Sequence, residues 1–168
     1  RCQNAGGKDL RSGVEIASRP HLSPSGPFTL ELWVKPDAAL WQPGIATAWL
    51  IDKMYIDYAH ANKKNEQMRD YSLALRAARG GAHTLQATLG FGDGIVRFTS
   101  HPQQFASNTW THLAFVYDGA GSGTLFRDGR QIGTQRHPGR GAVMPGSYPL
   151  VIGDRVNSSF AGFPGTIS

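Results

Sequence analysis

WTHLAFVYDGAGSGTLFRDGRQIG, from Trp110 to Gly133, is the stretch on which the fold turns. Thr111 to Asp118 alternates with apolar residues on both faces: Leu113, Phe115 and Tyr117 on one, Ala114 and Val116 on the other. Such a strand is expected in the middle of a sheet, covered on both sides. Gly119 to Gly123 lets the chain reverse. TLFR and RQIG then flank Asp128-Gly129, a strong short hairpin signal, because a type I′ turn needs positive φ at both central residues. Two hairpin connections back to back predict an antiparallel sheet.

The same grammar extends in both directions. FTLELWVKP (Phe28 to Pro36) puts Phe28, Leu30, Leu32 and Val34 on one face and Thr29, Glu31, Trp33 and Lys35 on the other. Pro36 ends the run, having no N–H to give the ladder. GVEIAS (Gly13 to Ser18), YSLALRAA (from Tyr71), TLQATLGF (from Thr84) and IVRFTS (from Ile95) alternate likewise, and WLIDKMYI (Trp49 to Ile56) reads as a strand with mixed faces. Asp57 to Asp70 is polar and patternless, an expected exposed loop. Short strands separated by turn signals predict an all-β sandwich.

Composition agrees. Charged residues are only 17% while Gly (21) and Pro (10) are abundant, which favours turns over long helices. No run approaches the ~18 apolar residues of a membrane helix, so membrane insertion is not expected. The single cysteine, Cys2, allows no internal disulfide, so the fold must stand on its core. The net charge of +5 admits an anionic partner. Residues 1–12 read as a lead-in and 13–168 as one domain; the opening RCQNAGGKDL reads as the middle of a longer polypeptide.

FTLELWVKP, NTWTHLAFVYDG, LFRDGRQIG and PLVIGDR…FAGFPGTIS, in that order and spacing, resemble the laminin G-like branch of the concanavalin A-like jelly rolls, in its bacterial form. The resemblance implies two packed antiparallel sheets. Relatives continue after the final G-x-I with an acidic residue and a further strand. Here Ser168 takes the acidic place and the sequence stops, so the last strand is expected to be lacking and an edge left for another segment to cover. Asp37 to Asp70 is a long insertion against the family pattern.

The superfamily includes glycoside hydrolases and lyases, so catalysis has to be weighed. Retaining glycosidases need two carboxyl groups about 5–5.5 Å apart, which on one strand means i, i+2 or i+4. Glu31 stands alone on its strand, Asp52 and Asp57 are on opposite faces of a regular strand, and Asp118 and Asp128 sit at turns. His112 reads as a buried, hydrogen-bonded strand histidine. With no nucleophile constellation either, no enzyme is expected. No cofactor is expected; the resemblance leaves room for a structural calcium ion, with Asp52, Asp93, Asp118 and Asp154 as its candidate ligands, but turn chemistry accounts better for most of these acids.

Binding remains. Sugar rings stack on flat aromatic faces and need hydrogen bonds at their rims. Trp41, Trp49, Tyr55 and Tyr58 lie in or beside the insertion and are candidates for such a platform, with Asn62 and Asp70 in its polar rim; packing into the core or a loop is the alternative for each. Trp33 and Trp110 read as structural strand residues. Arg127, Arg130, Arg136, Arg140 and Arg155 fall late in the chain, and their forks suit an anionic glycan; the resemblance implies a sulfated one, and a solvated basic rim is the alternative. Arg127 and Arg130 face each other across the Asp128-Gly129 turn, a repulsion that an acidic neighbour would relieve. Nucleic acid is not expected, because no stacking aromatics interleave these arginines. The expected function is a carbohydrate-binding or adhesive lectin-type module of a larger exported protein, extracellular, periplasmic or on the cell surface. Its partners would be a glycan or extracellular protein and the neighbouring domains of its own chain. A structural spacer is the other reading.

Overall fold

The computed structural model describes residues 13–54, 68–155 and 162–168. Among them eleven strands form two antiparallel sheets. β1 (Val14–Ile16), β10 (Leu150–Ile152), β3 (Thr47–Asp52), β4 (Tyr71–Ala77), β5 (His83–Gly90) and β6 (Ile95–Thr99) lie in that order in a six-stranded sheet. β11 (Gly165–Ile167), β2 (Phe28–Pro36), β7 (Thr111–Tyr117), β8 (Ser122–Arg127) and β9 (Arg130–Arg136) make the five-stranded one. The described helical pieces are single 3₁₀ turns, at Pro20–Leu22, Ala38–Trp41 and Arg79–Gly81.

The alternation seen in the sequence sets the layers. Leu30, Leu32, Val34, Leu113, Phe115, Tyr117 and Leu125 face inward from the five-stranded sheet. They meet Leu50, Leu73, Leu75, Leu85, Leu89 and Phe98 from the other. Phe98 packs against the rings of Phe115 and Tyr117 at 5.2 and 6.0 Å between centroids. Along one side β6 and β9 meet: the Thr99 N–H donates to the Gln135 side chain (2.6 Å) and the His101 N–H to the Ile132 carbonyl (2.9 Å). On the opposite side β11 pairs with Val34 to Pro36, and Ser168 exchanges both backbone hydrogen bonds with Trp33. Phe28 to Leu32 have no strand partner on that side among the described residues.

The decisive stretch folds as the two hairpins its sequence implies. Asp128 and Gly129 have φ of 49° and 75°, the doubly positive pattern of a type I′ turn. β7 is the middle strand of its sheet. Its outer face is covered only in part, however: Ala114 is buried there, but Val116 is exposed. The strand buried on both faces is β3, all six residues of it. A β-bulge explains its mixed pattern. Trp49 pairs with Ala74 and Ile51 with Leu73, so Leu50 is an extra residue and Asp52 returns to the face that carries Trp49.

One close approach holds the sheets together. At Gly123 in β8 an added Cβ would lie 2.5 Å from Phe98 Cδ1 and 2.7 Å from Phe115 Cε2. Both rings are fully buried in the core between the sheets. Gly123→Ala is therefore expected to lower stability by about 1–3 kcal/mol through overpacking. A urea titration reads this as a lower midpoint at unchanged slope; an unmoved midpoint refutes the contact.

Candidate functional site

The residues expected to form an aromatic platform are dispersed. Trp49 is buried on the outer face of the six-stranded sheet, 8% exposed. The Arg155 guanidinium lies 3.8 Å from its ring centroid, and Arg155 Nε donates to Asp52 Oδ2 at 2.9 Å. Burial pushes the Asp52 carboxyl up to about 6, against the pull of the Arg155 charge. Trp41 is half-buried against the core, and its Nε1 donates to the Gly81 carbonyl at 3.0 Å. Asp70 is wholly inside, 2.7 Å from Lys53 Nζ. Trp49 and Asp70 thus serve packing and ion pairing rather than a surface rim. Tyr55, Tyr58 and Asn62 lie outside the described residues.

The arginines do not gather into one basic site. Arg127 and Arg130 are cross-strand partners at the β8–β9 turn. Their repulsion is eased locally: Arg127 Nη1 donates to the Gln104 carbonyl (2.7 Å), its Nε is 3.5 Å from Asp128 Oδ2, and its guanidinium lies over Phe105. Arg136 ends β9, some six residues and about 20 Å along the strand from Arg130. Arg140 is bound to Asp93 at 2.6 Å and lies over Phe91. Arg155 belongs to the other sheet, with Asp52.

The candidate calcium ligands do not fit an ion either. Asp93 is taken by Arg140. Asp118 accepts the N–H groups of Ala120 and Ser122 at 2.7 and 2.8 Å, and these hydrogen bonds hold its carboxyl below the usual range. Asp154 Oδ1 accepts the Arg155 N–H at 2.7 Å. Among the described residues no three acidic, His or Cys side chains converge.

The open aromatic surface lies elsewhere, on the outer face of the five-stranded sheet. Trp33 and Trp110 are 49% and 42% exposed. Together with Ser168 they line an open cavity of about 300 Å³. Strand register explains the pairing. Val34 is opposite Thr111 and Trp33 opposite His112, which sets Trp110 opposite Lys35. Lys35 Nζ is 5.4 Å from the Trp110 ring centroid. The His112 ring is 5.2 Å from that of Trp33, and its Nε2 is 3.5 Å from Glu31 Oε2. On the far side Lys35 pairs with Thr166. Two indoles thus alternate with an ammonium and an imidazole, edged by Glu31, Thr166 and Ser168.

His112 is consequently a surface residue, 24% exposed in its side chain, and not the buried strand histidine its sequence context suggested. Trp33 and Trp110 face solvent rather than core. The signal was in the sequence: Trp33 falls out of phase with Phe28, Leu30, Leu32 and Val34.

A family model described as the concanavalin A-like lectin/glucanases superfamily matches residues 7–168. No curated protein sequence matches the chain. Among solved structures it is similar to the heptameric SAP-like pentraxin of Limulus polyphemus, at 15% identity and TM-score 0.57, over 92% of this chain and 64% of that one. It is similar also to botulinum neurotoxin type C, from work describing cell entry dependent on two ganglioside molecules, at 14% identity and TM-score 0.57, over 83% and 31%. A third is domain 4 of AbnA, an extracellular GH43 arabinanase of Geobacillus stearothermophilus, in complex with arabinotriose, at 18% identity and TM-score 0.53, over 87% and 59%. The chain spans less than two thirds of each of these, and at such identities the likeness is one of fold.

Proposed function

The chain belongs to the concanavalin A-like lectin/glucanases superfamily, and on that premise we propose that it is a non-catalytic carbohydrate-binding module that holds its ligand on the Trp33–Trp110 face. The observation that carries this reading is the pair of half-exposed indoles around one open cavity. The apolar C–H face of a sugar ring covers an indole favourably, and hydroxyls at its rim find Glu31, His112, Thr166 and Ser168. Neighbours of the same fold support the reading: one is described in complex with arabinotriose and another as dependent on gangliosides. The non-catalytic part rests on Glu31, which stands alone among the carboxylates of its strand and whose neighbour at 3.5 Å is the His112 imidazole, where a retaining glycosidase sets two carboxyl groups about 5–5.5 Å apart. We place the module in a larger exported protein, where it would hold its neighbouring domains near a glycan.

Affinity chromatography on immobilised polysaccharides, followed by calorimetry on soluble oligosaccharides, tests this. Trp33→Ala and Trp110→Ala are each expected to weaken binding about 10-fold, the ~1.4 kcal/mol scale of one stacked ring. Their melting temperatures should stay at the wild-type value, since neither indole is in the core. Binding that survives both replacements refutes the site. Retention on no polysaccharide leaves the spacer reading in its place.

A further inference from the structure

We infer that the Trp33–Trp110 face takes a glycan carrying a carboxylate on its sugar ring, a hexuronate, with Lys35 as the counter-charge. The inference rests on the proposed binding role and adds the ligand's chemical class. Glu31, Trp33 and Lys35 project from the same face of β2 at alternate positions, about 7 Å apart in turn. The strip therefore has a charged group at each end and an indole between. The two ends differ. Glu31 has the His112 imidazole beside it, with Nε2 3.5 Å from Oε2. Lys35 has no carboxylate partner among the described residues; its contact is the face of Trp110, at 5.4 Å. The ammonium thus rests over the Trp110 ring, and among the described residues no carboxylate pairs with it, which leaves its charge open to a ligand.

The occupant follows from shape and charge together. A pyranose ring lying flat on Trp33 presents its ring substituents sideways, in the plane of the sugar. A carboxylate in that plane points along the strip and not into the indole. Towards Lys35 it meets an ammonium and the Thr166 position; towards Glu31 it meets a like charge. The strip consequently both selects a carboxylate and sets the direction in which the sugar lies. A neutral hexose fits the indoles but leaves Lys35 without a partner.

Calorimetric titration of the whole chain with short oligomers of galacturonate, glucuronate and mannuronate, each against its neutral hexose counterpart, tests this. At least one acidic oligomer is expected to bind about five-fold more tightly than its counterpart at low salt, with the difference shrinking at high salt. Lys35→Gln should erase the preference and Lys35→Arg should keep it. Equal affinity for acidic and neutral oligomers, or a preference that survives Lys35→Gln, overturns the inference and leaves the proposed binding role standing. Binding of neither class overturns both. A sulfated neutral oligosaccharide that outbinds every hexuronate also overturns it, because the strip would then be reading charge without the ring carboxylate.

Discussion

Replacing Asp70 with Ala is expected to cost about 3–5 kcal/mol of folding stability, more than any single surface change on this molecule. Lys53 lies just past β3 and Asp70 just before β4, and both side chains are 0% exposed. Lys53 Nζ is 2.7 Å from Asp70 Oδ2, with weaker contacts at 3.4 Å to Ser18 Oγ and the Gly146 carbonyl. The same Oδ2 accepts the Gly146 N–H at 2.8 Å. The backbone of Asp70 is a junction too: its N–H donates to the Met144 carbonyl and its carbonyl accepts the Gly90 N–H, both at 2.8 Å. The pair therefore ties the ends of β3 and β4 to two other segments. Without Asp70 the ammonium stays buried with only neutral oxygens around it, a loss large against the 5–15 kcal/mol that holds a typical domain folded. Lys53→Met should cost a similar amount. The double replacement Lys53→Met with Asp70→Leu should recover much of the loss, because the desolvation of both charges disappears with the pair. Urea titrations of the four proteins close the cycle. Single variants within about 1 kcal/mol of wild type would mean that water reaches the pair, as it does for exposed ion pairs.

That pair also marks where reading the sequence stops. Alternation in β2, the Asp128-Gly129 turn and the central place of β7 are local patterns, each contained in fewer than ten residues, and the sandwich follows from them. Lys53 and Asp70 are seventeen residues apart, and nothing local marks them as partners. The Trp49–Arg155–Asp52 contact is more remote still: Asp52 and Arg155 are 103 residues apart. It depends on β10 lying beside β3 and on the bulge at Leu50 that turns Asp52 to the face of Trp49. Each aromatic of the insertion was therefore as open to burial as to exposure. Trp33 illustrates the converse. Its outward phase was legible, but whether anything covers the outer face of a sheet is a property of the whole fold. β7 misleads in the same way: apolar residues on both of its faces predicted cover on both sides, yet Val116 is exposed. For the acidic preference proposed for Lys35, no local pattern exists, because the pairing of Lys35 with Trp110 comes from strand register.

Asp52 makes the second large effect, one of pH. Its carboxyl sits at about 6 in the folded protein against 3.8 when unfolded, raised chiefly by burial. Between those values the folded state holds more protons than the unfolded, so this group's contribution to stability falls as pH rises from about 4 to 6. The full effect is about 3 kcal/mol, because each tenfold difference in proton affinity between the two states is worth ~1.4 kcal/mol. Two other groups act in the opposite sense over part of the range. His83 is buried and its proton affinity lowered, so it destabilises the fold as acid protonates the unfolded chain. Asp118, at the surface, is held below its usual range by the Ala120 and Ser122 N–H groups. The raw pH profile therefore mixes signs, and the difference between wild type and Asp52→Asn isolates the group. Asn mimics the protonated acid, so the variant should gain on wild type by about 3 kcal/mol between pH 4 and pH 7, read from urea midpoints. A difference that stays flat would mean that Arg155 fully offsets the burial. Breaking the contact from the other side, with Arg155→Met, should drive the Asp52 carboxyl higher still and extend the pH dependence upward, because the guanidinium is what holds it down.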